Sequence, residues 1–575
     1  MKHICLVLCI ALCILLPACN PGGQKPDTYD SVYYAQYTGL SEDMTTPDGA
    51  IYRVYVPESF YAWSPAAIIM VPNGMTAADF TGSDLGKSWR TAADNNGFAL
   101  GFVEGENKTW NTTGDPSGRD EVKTLEDVYN AMKSKLKSVQ LPFIMNKESV
   151  TLVGYKEGGE AALAVAAGTP ATFCAVIAID AEAPDVKNIE NLGKQFCYPF
   201  PGDGFGFKEE VGLVANTLQM PVWFINCGSS DAIDYYRGIN NTAGYKNNSF
   251  ASVEFDPAND VAEIWITSDG SDITPEDMWI EFICKHTRPL GKAGGELSWA
   301  VDFTDRSGRK GYIETVETFD GLERRYLTYV PESYNGSEAY PLVFVLHGYT
   351  GTNFGIAEES RWPDVAEKYG ITVVFPQAYP NPEANPYNIA CPSWINPILW
   401  NRPGADDDAF ITHVIEATAE EYSIDETRIY ATAHSNGSAM IEAYATMHPE
   451  TFAAIAPIGW AAAGLAESID NYLPMSLYYG EYDSSVADTN VAEADDYWTE
   501  LNGLGSVSPT TSTDYDGLFT TTSYNKGSVP IVQFTEVTDS PHSYFPEESW
   551  KIWEDFFSHF SRVDGKTYYD GKLVE

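Results

Sequence analysis

The chain has 575 residues, with 81 acidic and 35 basic side chains, and its formal net charge at pH 7 is −46. So large a negative charge repels nucleic acid and anionic membrane surfaces, which excludes both as partners of the folded protein. Single hydrophobic cores rarely grow beyond about 250–300 residues, so a chain of this length is expected to form two domains.

The first 19 residues are typical of an export signal. Lys2 precedes the apolar run from Ile4 to Leu16, and the letters LPAC end at Cys19. The run is too short to span a membrane comfortably. The pattern resembles a bacterial lipoprotein signal, in which Cys19 becomes the lipidated first residue after cleavage; an ordinary secretory peptide with an incidental cysteine is the alternative. Residues 20–34 would then be a tether, and the exported protein would face the periplasm or the cell surface, held at a membrane only by lipid.

An internal repeat divides the rest of the chain. The letters YVPESF at 55–60 return as YVPESY at 329–334, and each is followed by an apolar run that ends in a glycine turn. The segment EDMWIEFICKH at 276–286 likewise parallels ESWKIWEDFFSHF at 548–560. Self-similarity of this kind predicts tandem domains. We place the first unit at residues 35–288 and the second at 305–565, with a glycine-rich linker at 289–304.

Cysteines outside the signal are few and lack metal-ligand spacing. An exported protein could oxidise the four of the first unit into one or two disulfides, but free buried thiols are equally compatible with their apolar surroundings. The cysteines concerned are Cys174, Cys197, Cys227 and Cys284 in the first unit and Cys391 in the second. We expect no structural zinc and no cofactor.

The second unit alternates short apolar runs with amphipathic stretches. LVFVLHG at 342–348, ITVVFPQ at 371–377 and AAIAPIGW at 453–460 have the composition of buried strands, while AFITHVIEATAEEY at 409–422 has the pattern of a helix. Such alternation predicts an α/β fold with a mostly parallel sheet covered on both faces. Residues that carry chemistry should then lie at the carboxyl ends of the strands.

The pentapeptide AHSNG at 433–437 follows a strand-like run and opens a helix-compatible stretch. This is the context of a nucleophile elbow, where small flanking residues allow a sharp turn that projects the central serine, here Ser435. The first position is Ala433 instead of the usual glycine. At the matching place in the first unit stands GYKEG at 154–158, with Lys156 at its centre.

Further motifs of the second unit follow in a characteristic order. They are HGYTG at 347–351, DDDAFI at 406–411, GEYD ending at Asp483, and PHSYFP containing His542. With the elbow, they resemble the polyhydroxybutyrate depolymerase and feruloyl esterase group of α/β-hydrolases, over residues 305–562 and in a degraded form over 35–286. The resemblance implies two tandem α/β-hydrolase-like domains, each with a mostly parallel sheet covered by helices on both faces, the second catalytic and the first not.

The resemblance assigns a role to each candidate residue. Ser435 would be the nucleophile, His542 the general base and acid, and Asp483 the acid that orients the imidazole, with Asp488 as a competitor. Backbone N–H groups of Tyr349 and Asn436 would form the oxyanion hole.

Other polar and aromatic residues near these motifs receive plainer interpretations. Asp407 fits a helix N-cap or first-turn charge, and His434, at the variable position of the elbow, fits a structural or rim role. Trp394, Trp400 and Trp460 are candidates for lining the acyl or sugar pocket, with plain packing as the alternative.

The first unit lacks most of this machinery. Asn73 stands where the comparison of the two glycine turns puts His347, and no histidine occurs between Val261 and Pro275, where the base should lie. Asp231 is the only triad-like residue left, and His286 belongs to the terminal helix. Since a lysine nucleophile would need burial to lower its pKa, we expect a non-catalytic scaffold or substrate-positioning domain.

The sequence thus predicts a lipid-anchored serine hydrolase of carboxylic esters. The resemblance suggests feruloyl or acetyl esters on plant polysaccharide as substrates, in polysaccharide degradation outside the cell. A polyhydroxyalkanoate depolymerase with the same triad is the nearest alternative, followed by a serine peptidase and by a non-catalytic binding lipoprotein. The acyl group, the alcohol and the oligomeric state stay open.

Overall fold

The computed structural model describes residues 35–575 except 36, 61–62, 137–144, 198–212, 290–296, 301–311, 382–390, 397, 399–403, 484 and 487. The export signal with Cys19, the tether and Trp400 therefore lie outside the described residues. Among the described residues, no helix is both long and apolar enough to cross a membrane.

The first unit consists of short strands and helices in alternation. Its strands are β1 Gly39–Leu40, β2 Met44–Thr45, β3 Ile51–Val56, β4 Ser64–Met70, β5 Ala99–Val103, β6 Met145–Tyr155, β7 Ala175–Ile179, β8 Phe196–Cys197, β9 Leu213–Val214, β10 Val222–Ile225, β11 Gly244–Asn247, β12 Ser252–Asp256, β13 Asn259–Thr267, β14 His286–Thr287 and β15 Ser298–Trp299. Its α-helices are α1 Ala77–Gly82, α2 Asp84–Asn96, α3 Glu121–Lys135, α4 Glu157–Gly168, α5 Val186–Gly193, α6 Ser230–Asn240 and α7 Pro275–Glu281.

The second unit repeats the same alternation. Its strands are β16 Tyr312–Phe319, β17 Leu322–Tyr329, β18 Tyr340–Leu346, β19 Thr372–Pro376, β20 Pro380–Asn381, β21 Cys391–Pro392, β22 Ile424–His434, β23 Ala454–Ile458, β24 Met475–Gly480, β25 Thr510–Asp514, β26 Phe519–Lys526, β27 Val529–Val537, β28 Phe560–Val563, β29 Lys566–Tyr569 and β30 Lys572–Leu573. Its α-helices are α8 Asn353–Ser360, α9 Trp362–Tyr369, α10 Asp407–Glu421, α11 Asn436–Met447, α12 Asp488–Leu501 and α13 Pro546–Asp555. Single 3₁₀ turns occur at Ala215–Thr217, Ile283–Lys285, Tyr515–Gly517 and Phe557–His559.

Both units build their main sheet in the same strand order. The order is β1-β3-β5-β4-β6-β7-β10-β13-β12-β11 in the first unit and β16-β17-β19-β18-β22-β23-β24-β27-β26-β25 in the second. In each, the central strands pair in parallel and antiparallel strands extend both edges. The predicted fold class, two tandem α/β domains with mostly parallel sheets, is confirmed.

Burial explains why the central strands carry continuous apolar runs. In β4 the alternate side chains Ala66, Ile68 and Met70 enter one core with residues of α3, α4 and α6, whereas Ala67 and Ile69 enter a second core with residues of α1, α2 and α7. Helices therefore cover both faces, and a strand with two covered faces favours apolar side chains at every position. In the second unit, β19 and β23 are likewise buried at every position.

The ends of the two units extend past the predicted boundaries. Within the segment that we predict as a linker, β15 pairs antiparallel with β14, so those residues fold onto the first unit. After residue 565, β29 and β30 continue a small sheet begun by β28. That sheet packs on the second unit, because Tyr430 Oη donates to the Phe560 carbonyl at 2.7 Å.

Cys174, Cys197 and Cys227 are free thiols. Cys174 and Cys197 are buried in the first unit and Cys391 in the second. For Cys174, Cys197 and Cys227, the structure has free thiols, one of the two alternatives that the sequence leaves open for the first unit.

Candidate active site

The nucleophile elbow joins β22 to α11. Ser435 has φ 52° and ψ −114°, a conformation that L-residues rarely adopt and that projects the side chain out of the turn. A Cβ added to Gly437 would lie 2.6 Å from the His347 carbonyl oxygen, so only glycine fits where the elbow approaches the neighbouring strand end. The predicted strand–turn–helix context of Ser435 is therefore present.

His542 and Asp483 meet beside this elbow. Nδ1 of His542 is 2.8 Å from Oδ2 of Asp483, whose side chain is only 1% exposed. A carboxylate accepts, so Nδ1 carries the proton and Nε2 is left as the basic nitrogen. The Ser485 N–H donates to the other Asp483 oxygen at 2.8 Å, which fixes the carboxylate. The structure thus pairs His542 with Asp483.

Glycine at 459 makes room for the histidine. Gly459 has φ 67°, directly after β23, and a Cβ at this position would lie 3.0 Å from Cε1 of His542. The preceding carbonyl, of Ile458, accepts the Ser435 N–H at 2.8 Å, so the elbow and the histidine contact the same strand end. The Ser435 hydroxyl has no hydrogen bond to another described residue; catalytic contacts in unliganded enzymes often close only when substrate binds.

His347 shapes the loop that precedes α8. Its Nε2 accepts the Ala378 N–H at 3.1 Å, so its Nδ1 is the protonated nitrogen and donates to the Gly348 carbonyl at 2.7 Å. The Gln377 amide also contacts Nε2, at 3.0 Å. Burial lowers the pKa of His347 to about 4, which keeps the ring neutral in this role. The backbone of Tyr349, a predicted oxyanion donor, follows immediately.

Trp394 connects this loop to the elbow. The indole Nε1 donates to the His347 carbonyl at 2.9 Å, and the Trp394 N–H donates to Oδ1 of Asn436 at 2.7 Å. The side chain is 1% exposed. These contacts favour a structural role, while substrate contact by Trp394 stays a prediction.

A buried ion pair fixes the same segment. Asp407, the first residue of α10, contacts Nη2 of Arg324 at 2.6 Å and accepts the Ile395 N–H at 2.8 Å. The N-cap itself is Asp406, whose side chain accepts from the Ala409 N–H at 3.0 Å. Asp407 is therefore a carboxylate of the first helical turn, as the sequence suggests. It is fully buried, and it anchors the segment that contains Trp394 and Ile395.

Two of the remaining candidates, His434 and Trp460, lie near His542 and Gly459. The His434 ring centroid is 4.6 Å from that of His542, and burial lowers the pKa of His434 well below its usual value. Trp460 is half-buried and directly follows Gly459. His434 thus packs against His542, and contact of Trp460 with an acyl or sugar group stays a prediction.

The first unit keeps the elbow geometry without its nucleophile. Lys156 has φ 53° and ψ −121°, and its N–H donates to the Ile179 carbonyl at 2.7 Å, as Ser435 does to Ile458. The Lys156 side chain is exposed. It therefore lacks the burial that a lysine nucleophile would require.

The strand register corrects our prediction of which residue in the first unit corresponds to His347. Met70 pairs with Gly154 as Leu346 pairs with Ala433, so Val71, and not Asn73, occupies the place of His347. The comparison of the glycine turns by letters was wrong because the first unit has two more residues before its glycine. By the same register, Asn73 takes the place of Tyr349.

Two residues of the first unit carry a carboxylate at places that correspond to Gly459 and to the Tyr349 N–H of the second. Asp180, with φ 53°, stands where Gly459 makes room for the histidine. Glu157, directly after Lys156, accepts a hydrogen bond from the Asn73 N–H at 3.3 Å. Because Asn73 corresponds to Tyr349, the backbone N–H at this place is already bonded to a carboxylate. A carboxylate there would repel an oxyanion.

Two further polar residues of the first unit, Asp231 and His286, have the surroundings of residues with a structural role. Asp231 is exposed in the first turn of α6, and His286 is buried with Nδ1 2.8 Å from the Phe282 carbonyl. Burial lowers the pKa of His286 to about 4. Neither lies in a triad-like arrangement.

Sequence reasoning missed the residues that support the site. The partners of His347, the ion pair of Asp407 and the space at Gly459 depend on contacts between distant segments. The first unit repeats the arrangement, because Trp110 Nε1 donates to the Val71 carbonyl at 2.6 Å and Glu121 accepts the Asn111 N–H at 3.0 Å, but this repetition too is seen only in the structure.

The match to a protein family falls within the second unit. Residues 324–471 match the family described as esterase PHB depolymerase. The probable acetylxylan esterase A of Aspergillus fumigatus is 25% identical over 249 residues, which make up 43% of this chain and 60% of that protein. Acetylxylan esterase A of Aspergillus awamori is 23% identical over 277 residues, 48% of this chain and 77% of that protein. The match therefore spans less than two thirds of the first of these relatives.

Solved structures that match part of the chain include the acetyl xylan esterase from Aspergillus awamori, with a TM-score of 0.35 and 18% identity over 43% of this chain and 99% of that one. A ferulic acid esterase has a TM-score of 0.30 and 14% identity over 43% of this chain and 96% of that one. From the family match and the sequence relatives, the resemblance of the second unit to the polyhydroxybutyrate depolymerase and feruloyl esterase group of α/β-hydrolases is confirmed.

Proposed function

We propose that the protein is a serine carboxylic ester hydrolase whose active site lies in the second unit. The observation that carries the proposal is the pair of His542 and Asp483, joined at 2.8 Å beside the strained elbow residue Ser435. Their order along the chain, serine, aspartate and histidine, is the order of α/β-hydrolases.

The reaction follows from the roles of these groups. The Ser435 hydroxyl attacks the ester carbonyl while Nε2 of His542 takes its proton, and Asp483 stabilises the imidazolium. Backbone N–H groups of Asn436 and Tyr349 donate to the developing oxyanion. His542 then gives its proton to the leaving alcohol, and the acyl-enzyme is hydrolysed by a water molecule that His542 activates in turn.

The substrates that we propose are acetyl or feruloyl esters on plant polysaccharide. The names of the relatives from Aspergillus support the acetyl ester. Polyhydroxyalkanoate depolymerisation is the second candidate, supported by the description of the matching family. We further propose that Cys19 is lipidated after export, so that the enzyme is held at a membrane by its lipid.

The test is a hydrolysis panel of p-nitrophenyl acetate, methyl ferulate, acetylated xylan and hydroxybutyrate polymer, with Ser435→Ala as the matched variant. Wild-type protein should hydrolyse at least the short ester and react covalently with a fluorophosphonate. Ser435→Ala should lose both properties and retain its thermal transition, since the elbow serine contributes to the reaction and not to the core. Residual activity above a few per cent of wild type would contradict the assignment of the nucleophile.

A further inference from the structure

The loop between β27 and α13 carries His542 and is held on both sides of this histidine. Before His542, the Ser540 carbonyl accepts the N–H of Tyr482, the neighbour of Asp483, at 2.9 Å. After His542, the Tyr544 side chain enters the core, where it is 4% exposed. The position of the imidazole therefore depends on how both ends of this short loop are fixed.

The Tyr544 hydroxyl is bound at the junction of α8 and α9. Nε1 of Trp362, the first residue of α9, donates to Tyr544 Oη at 2.7 Å. Oγ of Ser549, on α13, lies 3.0 Å from the same oxygen and is also 2.7 Å from the carbonyl oxygen of Ser360, the last residue of α8. Trp362 is fully buried, so loss of the hydroxyl would leave its indole N–H without an acceptor. The contact thus restricts Tyr544 to one position.

The first unit has an equivalent tryptophan. The helices α2 and α9 each end before a glycine with positive φ, Gly97 in one and Gly370 in the other. Trp89 and Trp362 precede these glycines by the same number of residues, so they correspond to each other. Nε1 of Trp89 donates to Tyr155 Oη at 2.9 Å. The same indole donor is therefore bonded to a tyrosine hydroxyl in both units.

The two tyrosines belong to different segments. Tyr155 directly precedes Lys156 at the end of β6, which is the place of His434 in the second unit. Tyr544 belongs instead to the loop of His542. In the first unit, whose corresponding loop has no histidine, the tryptophan is bonded to the strand before the elbow. In the second unit it is bonded to the loop that carries the base, so the tyrosine and the histidine occur together.

We propose that Tyr544 is a positioning residue of the active site, whose hydroxyl, bonded to Trp362, fixes the loop that places His542 beside Asp483. This inference rests on the proposed ester hydrolysis at Ser435. Because Tyr544 is almost completely buried, it acts through His542 and not by contact with the substrate.

The experiment measures kcat and KM for p-nitrophenyl acetate and the rate of covalent labelling by a fluorophosphonate, with the full-length protein. Tyr544→Phe removes the hydroxyl and keeps the ring. Because the imidazole is then held less firmly, kcat and the labelling rate should both fall about tenfold. KM should stay within about twofold of the wild-type value, since no substrate contact is lost.

A second variant removes the same hydrogen bond from its other side. Trp362→Phe takes away the donor, so it should lower kcat by a similar factor. The double variant Tyr544→Phe/Trp362→Phe should be little slower than either single variant, because each change removes the same interaction. Losses of kcat that multiply in the double variant would mean that the two residues act independently, and they would contradict the inference.

Tyr430→Phe is the matched control. Tyr430 is buried in the same unit, and its Oη donates to the Phe560 carbonyl at 2.7 Å, but it lies on β22 and not on the histidine loop. This variant should keep the wild-type kcat. An unchanged kcat in Tyr544→Phe, or equal losses in Tyr544→Phe and Tyr430→Phe, would overturn the inference.

Ser549→Ala decides the question if Tyr544→Phe fails to fold, because it removes the second partner of the hydroxyl. Its kcat should fall while KM is retained, and an unchanged kcat would overturn the inference. Absence of any hydrolysis by the wild type would instead contradict the proposed function.

Discussion

At the scale of single residues, the buried side chain of His347 can make the loop that carries Tyr349 sensitive to pH. Its neutral ring accepts the Ala378 N–H and donates to Gly348. Protonation would place a donor against the Ala378 donor. Burial makes the charged form of the ring unfavourable, and this lowers the pKa of His347 in the folded protein to about 4.

We predict that His347 makes the protein less stable in acid. Above its unfolded pKa of about 6.5 the ring is neutral in both states and contributes no pH dependence. As the pH falls from about 6.5 to 4, only the unfolded chain takes up this proton, so the free energy of unfolding should fall, by roughly 3 kcal/mol in total.

Urea unfolding at pH 8, 6 and 4.5 would measure this effect. His347→Gln keeps a hydrogen-bonding side chain but has no titrating ring. The free energy of unfolding of this variant should therefore change less steeply with pH than that of the wild type. Above pH 7 the two proteins should show nearly the same change with pH. Parallel pH profiles for wild type and His347→Gln would contradict the prediction.

At the scale of secondary-structure elements, the two units have the same strand order and differ at the strand ends. The turns after β6 and β22 share their strained dihedral angles, although one carries Lys156 and the other Ser435. The turns after β7 and β23 share a positive φ, although one carries Asp180 and the other Gly459. The two units thus share this backbone geometry although they carry different side chains at the turns.

This comparison predicts the effect of Gly459→Ala. The added methyl group would lie 3.0 Å from Cε1 of His542, so the imidazole must move away from its present position. A shift of about 1 Å in a catalytic group can lower the rate roughly 10²-fold. The kcat for p-nitrophenyl acetate should therefore fall by about that factor, while the protein stays folded.

Gly464→Ala is the matched control. Gly464 also has a positive φ, 73°, but no atom lies within 4 Å of its added Cβ. In both variants an alanine must adopt a backbone conformation with positive φ, which destabilises the protein by about 1–2 kcal/mol. Equal losses of kcat in the two would show that strain, and not displacement of His542, is responsible.

On the scale of the whole molecule, the two units are neighbours that meet at α8 of the second unit. Trp63 and Lys147 contact α8, and the apolar core is continuous from one unit to the other. The second unit carries the catalytic residues that we propose, and the first unit packs against its helix α8.

The proposed lipid anchor is also a property of the whole molecule. With a net charge of −46, the folded body is repelled by anionic lipid, so membrane attachment should depend on the lipid alone. Cys19→Ser should move the protein from the membrane fraction to the soluble fraction, measured by fractionation and immunoblotting. Retention in membranes after a high-salt wash would contradict lipidation at Cys19.

Sequence by itself determined the repeat, the α/β class and the central elements of both units. These features have local signals: continuous apolar runs at β18 and β23, glycine turns after strands, and the small residues around Ser435. The prediction that the first unit lacks a histidine base also needed only the letters between Val261 and Pro275. The assignment of His542 and Asp483 drew on motif order, and the structure then brought them to 2.8 Å.

Only the tertiary structure decided how the site is supported. The equivalence of Val71 with His347 follows from strand register, because a letter comparison cannot locate two extra residues in a loop. The ion pair of Asp407 with Arg324 joins residues far apart in the chain, and its burial depends on every element packed around it. The contact of Lys147 with Glu359 joins two domains. Such contacts leave no periodic or local pattern, since they are set by where the folded elements meet and not by neighbouring residues.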